Sequence, residues 1–151
     1  MMKYNFLILF FILLTSTAQA SYCSGKNWQD TYQFYTLNID LLNTHIDSYN
    51  ALLSKVNLSD VDEDEQKSLD IKSAINALDE LNIDVEILAR KFDNAEKLWQ
   101  LISKHCLDDD EPDYNNKAIE NARGAEIGRT EVYDLLSKIA SLRIYFFKLL
   151  N

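Results

Sequence analysis

Glycine and proline are almost missing from this chain: three glycines and one proline in 151 residues. These residues punctuate backbones, so their scarcity excludes a turn-rich sandwich or barrel and leaves room for long helices. Gly25, Gly124, Gly128 and Pro112 are the only such interruptions. Cysteine is limited to Cys23 and Cys106, which rules out a CxxC redox pair and a CxxCH haem attachment. Histidine is limited to His45 and His105, with no HExxH and no Glu-x-x-His arrangement for a metal. Both methionines stand at the extreme N-terminus, so none survives removal of a leader to ligate haem. Basic charge is also short, 15 Lys and Arg against 24 Asp and Glu, for a net charge of -9. A chain that acidic is a poor ligand for nucleic acid or anionic lipid, and it suits a basic partner.

What is present begins with MMKYNFLILFFILLTSTAQA. Lys3 is a short positive region, Phe6 to Leu14 an apolar stretch, and Ala18-Gln19-Ala20 a small-x-small cleavage site. The apolar stretch is too short for a bilayer, so residues 1–20 read as a signal peptide. The expected product starts at Ser21, is exported to a periplasm or the extracellular space, and forms one domain over 21–151. Loss of Lys3 takes the net charge from -9 to -10. No later segment is apolar enough to span a membrane.

Three helical seams follow. Trp28, Tyr32, Tyr35, Ile39, Leu42, Ile46, Tyr49, Leu53 and Val56 alternate four- and three-residue steps, the spacing of a coiled-coil heptad. A second seam runs from Ile71 through Ile75, Leu78, Leu81, Val85, Leu88, Phe92, Ala95, Trp99 and Ile102 to Cys106. Its step from Leu78 to Leu81 is a local slip of register. The third runs from Ala118 through Ala122, Ala125, Gly128, Val132, Leu135, Ile139, Leu142 and Phe146 to Leu149. The spacing predicts helices over about 27–57, 67–106 and 113–150. LSDVDEDEQ, residues 58–66, separates the first two, with Ser59 or Asp60 as the cap. Asp108 to Pro112 separates the last two; acids before a first-turn proline suit the positive end of a helix dipole.

Short connections make neighbours antiparallel. The expected fold is therefore all-α, an elongated antiparallel three-helix bundle of coiled-coil character. Cys23 and Cys106 lie about equally far from the first turn, so folding the hairpin brings them level. We expect them to form a disulfide that closes its open end, with Trp28 and Trp99 packed just inside. An oxidising compartment lets such a bond persist.

The residues offer little chemistry. Counted from Asp60, an EF-hand loop would require glycine where Glu65 stands and glutamate where Ile71 stands; the acidic clusters read as solvated turns. Asn57-Leu58-Ser59 is a glycosylation sequon, meaningful in a eukaryotic source. There is no nucleophile–histidine–acid spacing and no phosphate loop. The chain reads as no enzyme, with no cofactor and no metal site.

Two surfaces exceed the needs of a minimal core. Phe34, Leu37 and Leu41 form a short extra stripe on the first helix. Tyr133, Leu136, Ala140, Ile144, Phe147 and Leu150 give the third helix a second apolar face, which serves as extra core or as a binding surface. In RGAEIGR, residues 123–129, two glycines within a helix imply close packing against bulky neighbours or a kink. Arg123 and Arg129 flank them as cations on an acidic chain. The candidate contact residues are Arg123, Arg129, Tyr133, Phe147 and Phe34. The function expected is that of an exported, non-catalytic helical protein that binds another protein, as inhibitors and immunity-type factors do. The alternative is an assembly component of a secretion or surface apparatus that self-associates through the third helix, with a homodimer as the expected form.

Overall fold

The computed structural model of the protein describes residues 23–57, 64–109 and 111–150. The leader, the expected caps Ser59 and Asp60 and most of the acidic first turn lie outside them. Among the described residues there are three helices and no strand: α1 Lys26–Asn57, α2 Asp64–Asp108 and α3 Pro112–Leu150. α2 starts inside the acidic stretch that the spacing assigns to the turn. The turn before α3 is tight. Asp109 and Glu111 donate backbone N–H groups to the carbonyls of His105 and Cys106, at 3.0 and 2.9 Å. Pro112 then occupies the first helical position, where its missing N–H costs nothing.

The helices form an antiparallel bundle, and cross-helix contacts fix the direction. Ser103 Oγ donates to Asn115 Oδ1 at 3.2 Å, Arg129 reaches Asp93, and Arg143 reaches Asp79. As the α3 number rises, the α2 number falls. For α1 the markers are the Cys23–Cys106 disulfide, with Cα atoms 5.2 Å apart, and Trp28 against Trp99.

The seams of α2 and α3 are buried almost throughout. Every α2 position from Ile71 to Cys106 named above is in the core, joined by Ala74 and Ala89. On α3, Ala118 through Phe146 are buried, while Leu149 is exposed at the helix end. The slip at Leu78–Leu81 leaves both leucines inside and α2 unbroken.

On α1 the expected seam requires correction. Tyr32 is 51% and Leu53 39% exposed, whereas Thr31, Asn38 and Leu52 are buried. The line through Trp28, Tyr35, Leu42 and Tyr49 is shared, but between them Thr31, Asn38 and Leu52 are buried in place of Tyr32, Ile39 and Leu53, while His45 and Ile46 are both half-buried. Tyr32 and Leu53 mark the flank of the helix, Ile39 and Ile46 pack at the edge of the core, and the centre holds a threonine and an asparagine. Asn38 is 1% exposed, and its Nδ2 has no acceptor among the described residues.

The glycines of α3 are explained by packing. A Cβ at Gly124 would collide with the Tyr35 hydroxyl. One at Gly128 would sit 2.8 and 2.9 Å from Cζ and Cδ1 of Phe92. Both glycines let a ring from a neighbouring helix reach the α3 backbone, and α3 continues through them without interruption.

Candidate functional site

The disulfide end is closely packed, with Cys23, Trp99, Ile102 and Cys106 all buried. Cys23 and Cys106 are 1% and 0% exposed. Trp28 meets Trp99 edge-on, with ring centroids 4.9 Å apart, and meets Tyr114 at 5.4 Å. Such pairs contribute about 0.5–1.5 kcal/mol beyond the area they bury. Sulfur and indole are sealed together, so this end acts as a clamp and offers no reactive thiol.

The outward side of α3 is different. Tyr133, Ile144 and Phe147 are 58%, 55% and 40% exposed, and Ser137 and Ala140 between them are also at the surface. Leu136 and Leu150, by contrast, are half-buried and pack against the core. The broad apolar arc thus divides: one edge is core, the other faces solvent. Tyr133, Ser137, Ala140, Ile144 and Phe147 step by four, three, four and three, a second heptad line on the face turned from the bundle.

Two arginines border this line and tie α3 to α2. Arg129 Nη1 lies 3.2 Å from Asp93 Oδ1 and 2.9 Å from Glu96 Oε2. Arg143 forks onto Asp79, Nη2 meeting Oδ2 at 3.3 Å, and its guanidinium lies over the Phe147 ring, 4.8 Å from the centroid. Asp93 also accepts from Lys97, and with Arg129 beside it the carboxyl is held below its ordinary range. Asp134 pairs with Lys138 at 2.6 Å, and this contact raises the lysine.

Toward the disulfide end the same side of α3 borders a shallow cavity, lined by Glu96, Gln100, Ser103, Ile119, Arg123 and Glu126. Arg123 is exposed there. The charge at this spot is mixed, two carboxylates around one guanidinium. Among the described residues no group of three or more His, Cys, Asp or Glu is placed to hold a metal ion, and no helix is long and apolar enough to cross a membrane.

Of the expected contact residues, Arg123, Tyr133 and Phe147 are exposed on α3. Arg129 is partly buried in its ion pairs and serves the α2–α3 junction. Phe34 is packed against the core with Leu41, leaving only Leu37 of that stripe in solvent. Arg143 and its partner Asp79 were not singled out from sequence. Their signal is legible all the same: Arg143 lies two heptads after Arg129, and Asp79 two heptads before Asp93. Comparison with known proteins adds no relative to this geometry: no family model, no curated protein and no solved structure matches the chain.

Proposed function

We propose that the protein works by binding another protein, with no chemistry of its own, and that the outward side of α3 is the contact surface. The observation that carries this reading is the row Tyr133, Ile144 and Phe147, large apolar side chains exposed on a helix whose opposite side is locked into the core. Aromatic side chains on rigid supports concentrate binding energy, because little conformational freedom is lost when they are covered. Arg123, exposed at the far end of the same side, adds a directional charge, and the net acidity favours a partner that is basic overall. An inhibitor or immunity-type role fits a rigid domain of this kind. The signal-like leader and the buried disulfide support action in an exported, oxidising location.

The test is affinity capture from the exported fraction of the source cells. Wild-type chain is compared with Arg123→Glu and Phe147→Glu, both surface changes that leave the seam intact. A specific captured protein that is lost with either variant supports the reading; a partner indifferent to both removes this surface from consideration. Self-association through α3 is the second reading, favoured by the internal pattern of the exposed heptad line.

A further inference from the structure

We propose that the C-terminal half of this surface pairs with the same surface of a second copy, antiparallel, about a twofold axis level with residue 142. The inference deepens the second reading above.

The pattern of the exposed line supplies the occupant. In an antiparallel coiled coil the two kinds of core position alternate across the interface, and each flank meets its own kind. Placing the axis level with residue 142 sets Ala140 against Ile144 of the second copy and Ser137 against Phe147, each twice by symmetry. A small side chain meets a large one in every layer, which fills the interface without voids or clashes. On one flank Asp134 faces Lys148 of the second copy, again twice, with Ser141 beside the axis. On the other flank Leu136 faces Leu150, both half-buried at the edge of the core. Arg143 meets its own counterpart near the axis, but each is neutralised by the fork to Asp79.

Orientation follows from the same residues. A parallel pair would bring Arg143 against Lys148 and would stack Phe147 on Phe147 and Ala140 on Ala140. It repels on the flank and leaves a gap at each alanine. The antiparallel pair removes both faults, and it is isologous: each residue's contact is repeated by symmetry, so two copies close the assembly. Asp134 already pairs with Lys138 of its own helix. That exposed contact is cheap to exchange. The N-terminal half of the face, with Ile119 and Arg123, stays uncovered, so a dimer would offer two separate sites to a different protein.

The experiment uses the full chain, leader included, expressed by a route that exports it and forms the disulfide. Sedimentation equilibrium is expected to show a dimer, and Ile144→Asp to reduce it to single chains with an unchanged circular dichroism spectrum. Asp134→Lys and Lys148→Asp are each expected to weaken association by about tenfold, from two symmetric pairs lost; the double swap is expected to restore it. Ser141→Cys should form an interchain disulfide under mild oxidation. Tyr133→Cys should not, because its two copies lie roughly 27 Å apart along the axis at 1.5 Å per residue.

Single chains at high concentration overturn the proposal, as does a dimer indifferent to Ile144→Asp. Self-crosslinking at Tyr133 or failure of the charge swap to restore association overturns the antiparallel register. The broader reading is tested separately. If the chain is monomeric yet Arg123→Glu loses a captured protein, that reading stands and this inference falls. If the dimer forms and no foreign protein is captured, the outcome is reversed.

Discussion

The α2–α3 pair and α1 are built to different standards. Between α2 and α3 nearly every seam position is apolar and buried, and three polar ties, at Ser103–Asn115, Arg129–Asp93 and Arg143–Asp79, run the length of the contact. α1 has the same heptad geometry with poorer contents. Thr31 and Asn38 occupy its centre, and Tyr35, Ile39, Ile46 and Tyr49 are only half-buried. The difference teaches what the cysteines are for. Two helices hold each other by packing; the third is held at one end by a covalent clamp under two tryptophans. Stability within one domain is not uniform, and here the weaker element is the one that carries the bond.

Breaking the clamp should have the largest effect. Crosslinking across 83 residues removes chain entropy worth about 4 to 5 kcal/mol in the loop-closure account. Cys23→Ser with Cys106→Ser is expected to lose most of that in urea unfolding. Hydrogen exchange should show the loss concentrated in α1, with α2 and α3 amides keeping most of their protection. Equal loss of protection in all three helices would mean that α1 is no weaker than the pair it covers.

The two glycines sharpen the same contrast, because each meets a different class of neighbour. At Gly128 an added methyl strikes Phe92, whose ring is fully buried between α2 and α3. Overpacking there is expected to cost about 1–3 kcal/mol for Gly128→Ala. At Gly124 the methyl strikes only the hydroxyl at the far end of Tyr35, a half-buried side chain of α1. Gly124→Ala should therefore be close to neutral, since removing glycine from a helix interior gains about 1 kcal/mol. Thermal melts of the two variants side by side check the expected order. A smaller step is Asn38→Leu, which replaces a buried amide lacking an acceptor for Nδ2 by a side chain of similar size. Stability should rise by about 1 kcal/mol, narrowing the gap between α1 and the pair.

The pair and the single helix also differ in how legibly they were written. Periodicity marks the α2 and α3 seams residue by residue because nearly all their core positions are apolar, Asn115 at the start of α3 excepted, with small residues at Ala118, Ala122, Ala125 and Gly128. On α1 apolar spacing points to Tyr32 and Leu53: a buried threonine or asparagine carries no apolar signal, and Leu52 reads the same as the neighbouring Leu53. The disulfide was legible from symmetry about the first turn. The division of the α3 arc was not. Leu136 and Leu150 on the core side and Ile144 and Phe147 on the solvent side are equally apolar, and only the angle at which α3 meets α2 separates them. The partial burial of Arg129 and Phe34 is illegible for a related reason: an arginine or an aromatic at the seam's edge reads alike whether it faces a partner or its own fold.

Titration gives the smallest effect and the most selective one, because the two regions fail at opposite ends of the pH scale. Asp93, hydrogen-bonded to Lys97 and close to Arg129, has its carboxyl lowered from 3.8. A carboxyl depressed in the folded state contributes stability above its unfolded value and loses it as pH falls through the folded one. That contribution belongs to the α2–α3 junction. Tyr35 is raised from 10.0, first by burial and then by the neighbouring Tyr32. A raised phenol has the reverse sign: its contribution is complete below the unfolded value and disappears as pH climbs through the folded one. That contribution belongs to the docking of α1 on Gly124. Melting temperatures followed below pH 3.8 and above pH 10.0 should separate the two. Asp93→Asn is expected to flatten only the acid limb and Tyr35→Phe only the alkaline limb. If either substitution altered the opposite limb, the two interfaces would be coupled, and α1 could not be regarded as a separately held helix.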